Sequence, residues 1–180
     1  MLKGDKILLD FISYSDLEII LQWRNDQKIA QFFREYRLLN IENQKEWYSM
    51  LNKKDNIFEY FFLIRLSSDN EPIGVCGLNY INWINRTGQL SLYIGKNSLY
   101  IDSEGWAEEA CKILEEYGFN KLNLNKIYCE IYDFDKKKIE LLEKLNYKIE
   151  GRFEEHIFRN GNYYDSLFFG KLKKSQNEIL

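Results

Sequence analysis

The residue types best suited to chemistry lie where a strand-like segment is followed by a helix that opens on a glycine. Residues 102–107 read Asp-Ser-Glu-Gly-Trp-Ala, and apolar residues continue at helical spacing as far as Tyr117. A helix start presents four backbone N–H groups without intrahelical partners and the positive end of the helix dipole. Phosphate-like anions bind at such a terminus. The pattern therefore predicts an anion site at the start of this helix.

Acidic residues surround this predicted anion site, and they allow two interpretations. In the first, residues such as Asp102 and Glu104 only cap the helix and complement its dipole. In the second, the backbone amides still bind an anion, while each nearby carboxylate repels it by about 1 kcal/mol at a solvated surface. The sequence leaves both interpretations open.

Other chemically suggestive residues have simpler explanations. Residues 136–138 are three consecutive lysines, which are typical of a solvated helix face, although they also suit a phosphate group. Cys76, Cys111 and Cys129 lie far apart without a C-x-x-C pair, so we expect small buried side chains in a reducing compartment. His156 has no neighbours of metal-binding type, and no metal site is predicted.

Length and composition limit the class of protein. A chain of 180 residues with 45% hydrophobic and 16% aromatic residues fits one domain over residues 1–180 with its own core. A net charge of −3 gives no general attraction for nucleic acid, so no nucleic-acid partner is expected. The apolar runs are too short to cross a bilayer, and the N-terminus lacks a signal-type apolar core. We therefore expect a cytoplasmic protein without membrane contact.

The apolar patterning predicts the elements that position these residues. Strands are predicted at residues 7–11, 59–66, 72–81, 89–94 and 126–132, with two more around an Asn160-Gly161 turn. Helices are predicted from a cap at residues 15–16 through residue 23 and at residues 41–51, 103–119 and 136–145. Because a helix connects strands 89–94 and 126–132, these two strands must be parallel. The expected fold is a mixed α+β sheet in the order β-α-α-β-β-β-α-β-α-β-β.

Several stretches in this order together resemble the GCN5-related N-acetyltransferases (GNAT). They include Glu-Gly-Trp-Ala-Glu-Glu-Ala (104–110), Leu-Asn-Leu-Asn-Lys-Ile-Tyr (122–128), Leu-Glu-Lys-Leu-Asn-Tyr-Lys-Ile-Glu-Gly-Arg (142–152) and Phe-Arg-Asn-Gly-Asn-Tyr-Tyr-Asp (158–165). The chain is most similar to the branch that includes ribosomal-protein and spermidine acetyltransferases. The resemblance implies the acyl-CoA N-acyltransferase fold and acetyl-CoA as co-substrate.

The resemblance also implies site residues, position by position. The implied cofactor-binding residues are Leu92, Tyr93, Ile94, Ser103, Glu104, Gly105, Trp106, Ala107 and Asp135. Trp23, Arg24 and Asn25 match a Trp-Arg-Asn that lies near the acceptor site in this branch. As an equal alternative, Trp23 packs in the core and Arg24 forms a surface ion pair.

The chain departs from the family pattern at positions that bear on catalysis. Asp102 stands where a basic or amide residue is usual, so the pyrophosphate loop is degenerate. Leu142 stands where a tyrosine commonly protonates the thiol of CoA, and Gln89 replaces a common glutamate. No catalytic residue is assigned, and Glu130 or a water chain remains open as the proton acceptor.

The expected function is acetyl-CoA-dependent N-acetylation of a primary amine. The acceptor is a small molecule, such as an amino sugar or a polyamine, or a protein N-terminus. The alternative is a catalytically silent protein of the same fold that binds a small ligand or a protein. A homodimer through the C-terminal strands is common in relatives and is compatible with this sequence.

Overall fold

A computed structural model describes residues 1–173 and builds them around one mixed sheet. In this part of the chain eight strands follow one another in the sheet order β1-β2-β3-β4-β5-β6-β8-β7. The strands are β1 (Leu2–Lys3), β2 (Ile7–Phe11), β3 (Tyr60–Leu66), β4 (Pro72–Asn82), β5 (Thr87–Ile94), β6 (Lys126–Tyr132), β7 (Lys148–Arg159) and β8 (Asn162–Leu172). The helices are α1 (Leu17–Asn25), α2 (Gln27–Ala30), α3 (Ile41–Leu51), α4 (Trp106–Glu116) and α5 (Lys136–Lys144).

The predicted α+β topology is confirmed. Neighbouring strands pair antiparallel except β5 and β6, which are parallel and are connected through α4. This parallel ladder joins only Thr87, Gly88 and Gln89 to residues 126–128. Beyond Gln89 the two strands diverge, so the second half of each strand lacks its neighbour on that side.

Two small elements and one boundary differ from the expectation. Strand β1 and the four-residue helix α2 are too short to give a periodic pattern in the sequence. Helix α4 begins at Trp106 and not at residue 103, because Gly105 takes a left-handed conformation with φ of 88°. After α4 the chain continues through a π-helical turn over Tyr117–Lys121.

The sheet has different partners on its two faces. Cys76 and Leu78 of β4 face α4 and the π-helical turn, whereas Val75 and Asn79 line a cavity on the other side. All three cysteines are buried, as predicted, and burial raises the pKa of each thiol. These thiols are therefore core side chains and not nucleophiles.

The predicted turns are also confirmed. Asn160 and Gly161 both have positive φ values, 49° and 83°, as the tight connection between β7 and β8 requires. Asn146 ends α5 in the left-handed conformation, with φ of 64°.

Strand β7 is the outer edge of the sheet and exposes the apolar side chains of Ile149, Phe153 and Phe158. The homodimer expected through the C-terminal strands stays a prediction. None of the helices within residues 1–173 has the length and hydropathy needed to cross a membrane.

Gly95 provides a test of the packing between α1 and the end of β5. A Cβ atom added at Gly95 would stand 2.1 Å from the Trp23 ring, which is itself buried. We expect Gly95→Ala to lower the free energy of unfolding by about 1–3 kcal/mol, because the ring has no room to move. Urea unfolding measures the change.

Gly151→Ala is the matched control, since its added Cβ atom would meet no atom closer than 4.0 Å. Equal stability of the two variants would contradict the tight contact between Trp23 and Gly95.

Candidate functional site

Strands β5 and β6 diverge beside a cavity, termed the larger cavity because a second one nearby is smaller. Its volume is about 480 Å³, and it lies between the sheet and the segments that include α1, residues 32–39 and α3. Residues 89–93 of β5 and Cys129, Glu130 and Tyr132 of β6 contribute to its walls. The cavity therefore reaches the point at which the two parallel strands separate.

A second cavity of about 310 Å³ lies beside the first, and a pair of stacked rings stands between them. Phe32 and Tyr100 line both cavities. Their ring centroids are 4.2 Å apart and their planes differ by 15°. Lys28, Lys136 and Lys137 line the second cavity and give it a positive charge.

The segment from Ile94 to Ala107 makes its own hydrogen bonds at the predicted anion site. The backbone N–H of Ile94 donates to the carbonyl of Tyr100 at 2.9 Å. The Asp102 carboxylate accepts from the backbone N–H groups of Trp106 at 2.8 Å and Ala107 at 2.7 Å. The first turn of α4 thus already holds an anionic group, which belongs to the chain itself.

The remaining acidic residues near this helix start are engaged elsewhere. Glu108 pairs with Lys112 and Lys144, and these two hydrogen bonds hold its pKa at about 2, below its ordinary value. The carboxylate of Glu109 accepts from the backbone N–H groups of Asp5 and Lys6. The amino group of Lys6 donates to the carbonyl of Glu104 at 2.6 Å. Of these three glutamates, Glu108 has its charge balanced by lysines, whereas Glu109 is held by neutral backbone N–H groups and Glu104 contacts Lys6 through its backbone carbonyl.

A buried lysine crosses the gap between the diverging strands. Lys138 is 5% exposed, and its Nζ donates to the carbonyl of Leu92 at 2.8 Å and to the hydroxyl of Tyr100 at 3.2 Å. Asp135 caps α5 through the backbone N–H of Lys138, and burial raises the pKa of its carboxyl. The expectation of a solvated face for residues 136–138 is therefore wrong for Lys138, since the third position of α5 points at the sheet.

Glu130 of β6 faces the larger cavity. Its carboxylate pairs with the guanidinium of Arg34, which also donates to Gln89 Oε1 at 3.3 Å. The other carboxylate oxygen lies 3.8 Å from His156 Nδ1, and that nitrogen lies 2.9 Å from the Ser166 hydroxyl. Glu130 is therefore a carboxylate near the strand divergence, and one of its oxygens has no close hydrogen bond within residues 1–173.

The three residues Trp23, Arg24 and Asn25 at the end of α1 have different surroundings. Trp23 is buried against Gly95, as the packing alternative predicts. Asn25 exchanges hydrogen bonds of 2.8 and 2.9 Å with the backbone of Leu39 and so holds one wall of the larger cavity. Arg24 lines that cavity directly. It forms no ion pair within residues 1–173, so the surface ion pair of the alternative is not observed.

The implied cofactor positions fall into three groups. Leu92 and Tyr93 line the larger cavity, Asp135 lines the smaller one, and residues 103–107 form the turn that leads into α4. Ser103 and Glu104 are exposed, and Ala107 is buried. Leu142 is fully buried in the core and has no proton to donate. Whether these residues contact a cofactor stays a prediction.

Two charged residues at the larger cavity, Arg34 and Lys138, were not selected as site residues from the sequence, whereas Glu130 was left open as a proton acceptor. Arg34 pairs with Glu130 across 96 residues of chain, a distance over which no sequence pattern operates. Lys138 carried one signal, since its helix is amphipathic and the third position falls on the apolar stripe with Leu141 and Leu142.

The chain is similar in sequence and in fold to known N-acetyltransferases. A family model described as an acetyltransferase (GNAT) domain matches residues 6–148. The uncharacterized N-acetyltransferase p20 of Bacillus licheniformis is 25% identical over 96% of both chains. A spermidine N(1)-acetyltransferase of Vibrio cholerae is 27% identical over 90% of both chains. The crystal structure of spermidine N-acetyltransferase from Vibrio cholerae in complex with CoA and spermine has a TM-score of 0.84 at 25% identity, covering 94% of this chain and 96% of that one.

The chain therefore belongs to the GNAT family of N-acetyltransferases, whose co-substrate is acetyl-CoA.

Proposed function

We propose that this chain, as a member of the GNAT family, transfers the acetyl group of acetyl-CoA to a primary amine bound in the larger cavity. The divergence of β5 and β6 after Gln89 is the observation that carries the proposal. It leaves a passage between the two strands, in which Tyr100 and Lys138 hold the backbone groups of Ile94 and Leu92, and the larger cavity lies beside this passage. A thioester reaching through this passage meets an amine held in the larger cavity.

The smaller cavity and the start of α4 suit the polar half of CoA. Lys28, Lys136 and Lys137 offer positive charge to phosphate groups, and Lys6 lies next to the first turn of α4. The pantetheine arm then runs along Leu92, Tyr93 and Ile94. This path requires Tyr100 to move, because its ring and its backbone carbonyl occupy the passage.

Cofactor binding in this scheme exchanges internal hydrogen bonds for external ones. The hydrogen bond from the Ile94 N–H to the Tyr100 carbonyl breaks, and so does the hydrogen bond from the Lys138 ammonium to the Leu92 carbonyl. At α4 a phosphate replaces the Asp102 carboxylate on two backbone amides. Each exchange reduces the net gain from binding, because the free protein is already satisfied at these positions.

Glu130 is the proton acceptor that the geometry favours. The amine nitrogen attacks the thioester carbonyl carbon, a C–N bond forms, and the C–S bond breaks. The proton lost by the nitrogen passes to Glu130, and CoA leaves as a thiolate that takes a proton from water. The β5 backbone N–H groups stabilise the negative charge that develops on the carbonyl oxygen.

The direct test is acetyl transfer from acetyl-CoA to a panel of primary amines. Thiol release measures turnover, and the mass of the amine product must rise by one acetyl group. Acetyl-CoA alone should also raise the melting temperature. A rise in melting temperature without turnover for any amine would favour the catalytically silent alternative. Neither effect would show that CoA is not a ligand.

Asp102→Asn tests the competition at the start of α4. Removal of one charge that lies on the phosphate position should tighten CoA binding about fivefold, from a change of about 1 kcal/mol. The free protein should lose about 1 kcal/mol of stability, because the amide caps the helix less well. Calorimetric titration and urea unfolding measure the two effects.

Glu116→Gln removes the same charge from the opposite end of α4 and serves as the control. If Asp102→Asn weakens CoA binding in step with stability, Asp102 organises the phosphate site and does not compete for it.

Lys138→Met tests the exchange between the strands. The methionine fills similar volume but frees the Leu92 carbonyl, so CoA should bind more tightly while the free protein loses about 1–3 kcal/mol. Lys137→Met is the opposing variant, because Lys137 is exposed at the smaller cavity and should contribute positive charge to phosphate binding. If both variants bind CoA more weakly, the Lys138 ammonium contacts the cofactor and does not compete with it for the Leu92 carbonyl.

Glu130→Gln tests the proton acceptor. The amide cannot take a proton, so kcat should fall by about 10²- to 10⁴-fold at neutral pH. Part of the loss should return at high pH, where the free amine is already deprotonated. Glu154→Gln, at an exposed glutamate of β7, is the control. A kcat that is unchanged and equally pH-dependent in Glu130→Gln would exclude this carboxylate as the base.

A further inference from the structure

Arg24 is a cation that the protein holds in position without neutralising it. Its guanidinium carbon lies 3.9 Å from the centroid of the Phe33 ring, and Nη2 donates to the Glu35 carbonyl at 3.0 Å. The side chain lines the larger cavity. No carboxylate within residues 1–173 forms an ion pair with it. The Phe33 ring and the Glu35 carbonyl fix the position of the guanidinium, and its other N–H groups make no hydrogen bond within residues 1–173.

Burial makes this arrangement unfavourable for the free protein. Desolvation lowers the pKa of Arg24 from its ordinary value, and the opposing influence of Tyr93 and Glu35 does not offset it. A guanidinium still carries its full charge under these conditions. An anion that enters the cavity would supply the charge partner that the chain does not.

The other charges of the cavity walls do not cancel Arg24. Arg34 is paired with Glu130, and Arg37 is paired with Glu35. Lys138 adds a further cation that is held by a carbonyl and a hydroxyl. Among the described residues, Glu46 is the remaining carboxylate on the cavity walls. It is exposed, so water screens its charge more than that of the half-buried Arg24.

A polycation fits these walls poorly. Every additional ammonium group of a polyamine would approach Arg24, Arg34, Arg37 or Lys138, and only Glu46 is available without breaking an ion pair. Like charges in such a site cost free energy that a single exposed carboxylate does not recover.

Two buried amide oxygens of the same cavity have no hydrogen-bond donor in the described part of the chain, residues 1–173. They are Gln44 Oε1 and Asn79 Oδ1, and Gln44 is 4% exposed. Unpaired buried acceptors suit the N–H or O–H groups of a polar ligand. These two oxygens can accept hydrogen bonds from a neutral polar ligand skeleton, and the Arg24 guanidinium can donate to an anion.

We propose that the amine acceptor carries an anionic group, a phosphate or a carboxylate, which Arg24 binds in the larger cavity. This inference rests on the proposed function, because it takes the larger cavity as the acceptor site. Gln44 and Asn79 bind the polar skeleton of the acceptor, and its amine reaches Glu130. The anionic group thereby fixes which end of the molecule faces the thioester.

The test compares three amino sugars that differ only at carbon 6. They are glucosamine, glucosamine 6-phosphate and the corresponding 6-carboxylate, 2-amino-2-deoxyglucuronic acid, with spermidine as the polycation. We expect kcat/KM to be at least about tenfold higher for one of the two anionic sugars than for glucosamine, and lower for spermidine. The advantage should shrink as salt is raised. The relative rates of phosphate and carboxylate identify the anion.

Arg24→Met should remove the preference for the anionic sugar, and Arg24→Lys should retain part of it, because lysine keeps the charge without the planar fork. Arg86→Met, at an exposed arginine in the turn between β4 and β5, should keep the preference. Thermal shift with glucosamine 6-phosphate in the absence of acetyl-CoA tests binding alone. If Arg24→Met does not fold, the salt dependence and the sugar series decide.

The outcomes separate this inference from the proposed function. Efficient acetylation of spermidine or glucosamine, with no advantage for either anionic sugar, would overturn the inference and leave the function intact. Anion binding that disappears in Arg24→Met, without any acetyl transfer, would support the inference about Arg24 and contradict the transferase activity.

Discussion

The short parallel ladder between β5 and β6 is the constraint on which the rest of the site depends. Three residue pairs hold the two strands together, and beyond Gln89 their facing backbone groups have no strand partner. Buried N–H and C=O groups must find partners elsewhere. In this chain the Tyr100 carbonyl satisfies Ile94, and the Lys138 ammonium satisfies Leu92. The gap between the strands is therefore closed by groups from outside the sheet.

The start of α4 is likewise hydrogen-bonded within the chain, because the Asp102 carboxylate accepts from two backbone amides of this helix. A free helix start would be a stronger anion site but a less stable helix, since orphan amides cost stability unless a ligand is present. In the proposed binding mode, these hydrogen bonds stabilise the cofactor-free state both at the phosphate position and along the pantetheine arm. Affinity for CoA then depends on the difference in free energy between the hydrogen bonds of the complex and those of the cofactor-free protein, and not on the sum of new contacts.

Sequence patterns predicted those parts of the fold whose cause is local. The strand–helix–strand connection required β5 and β6 to be parallel, and the Asn160-Gly161 pair specified the turn between β7 and β8. The function of Asp102 could not be decided in the same way, because capping and anion binding use the same residues and differ only in where the carboxylate points. Arg34 and Glu130 meet through tertiary folding alone, so neither residue carried a local signal of the pair.

Lys138 and Arg24 show what the structure adds to such patterns. Lysine and arginine are both common surface residues, yet the fold directs Lys138 into the strand gap and Arg24 into the larger cavity. Lys138 is matched by a carbonyl and a hydroxyl, so its charge completes the free protein. Within residues 1–173 Arg24 has a ring and one carbonyl but no carboxylate, and the proposed anionic ligand would supply the missing charge partner. In a buried site, the group that the chain leaves without a charge partner is the one that defines the chemistry of what binds there.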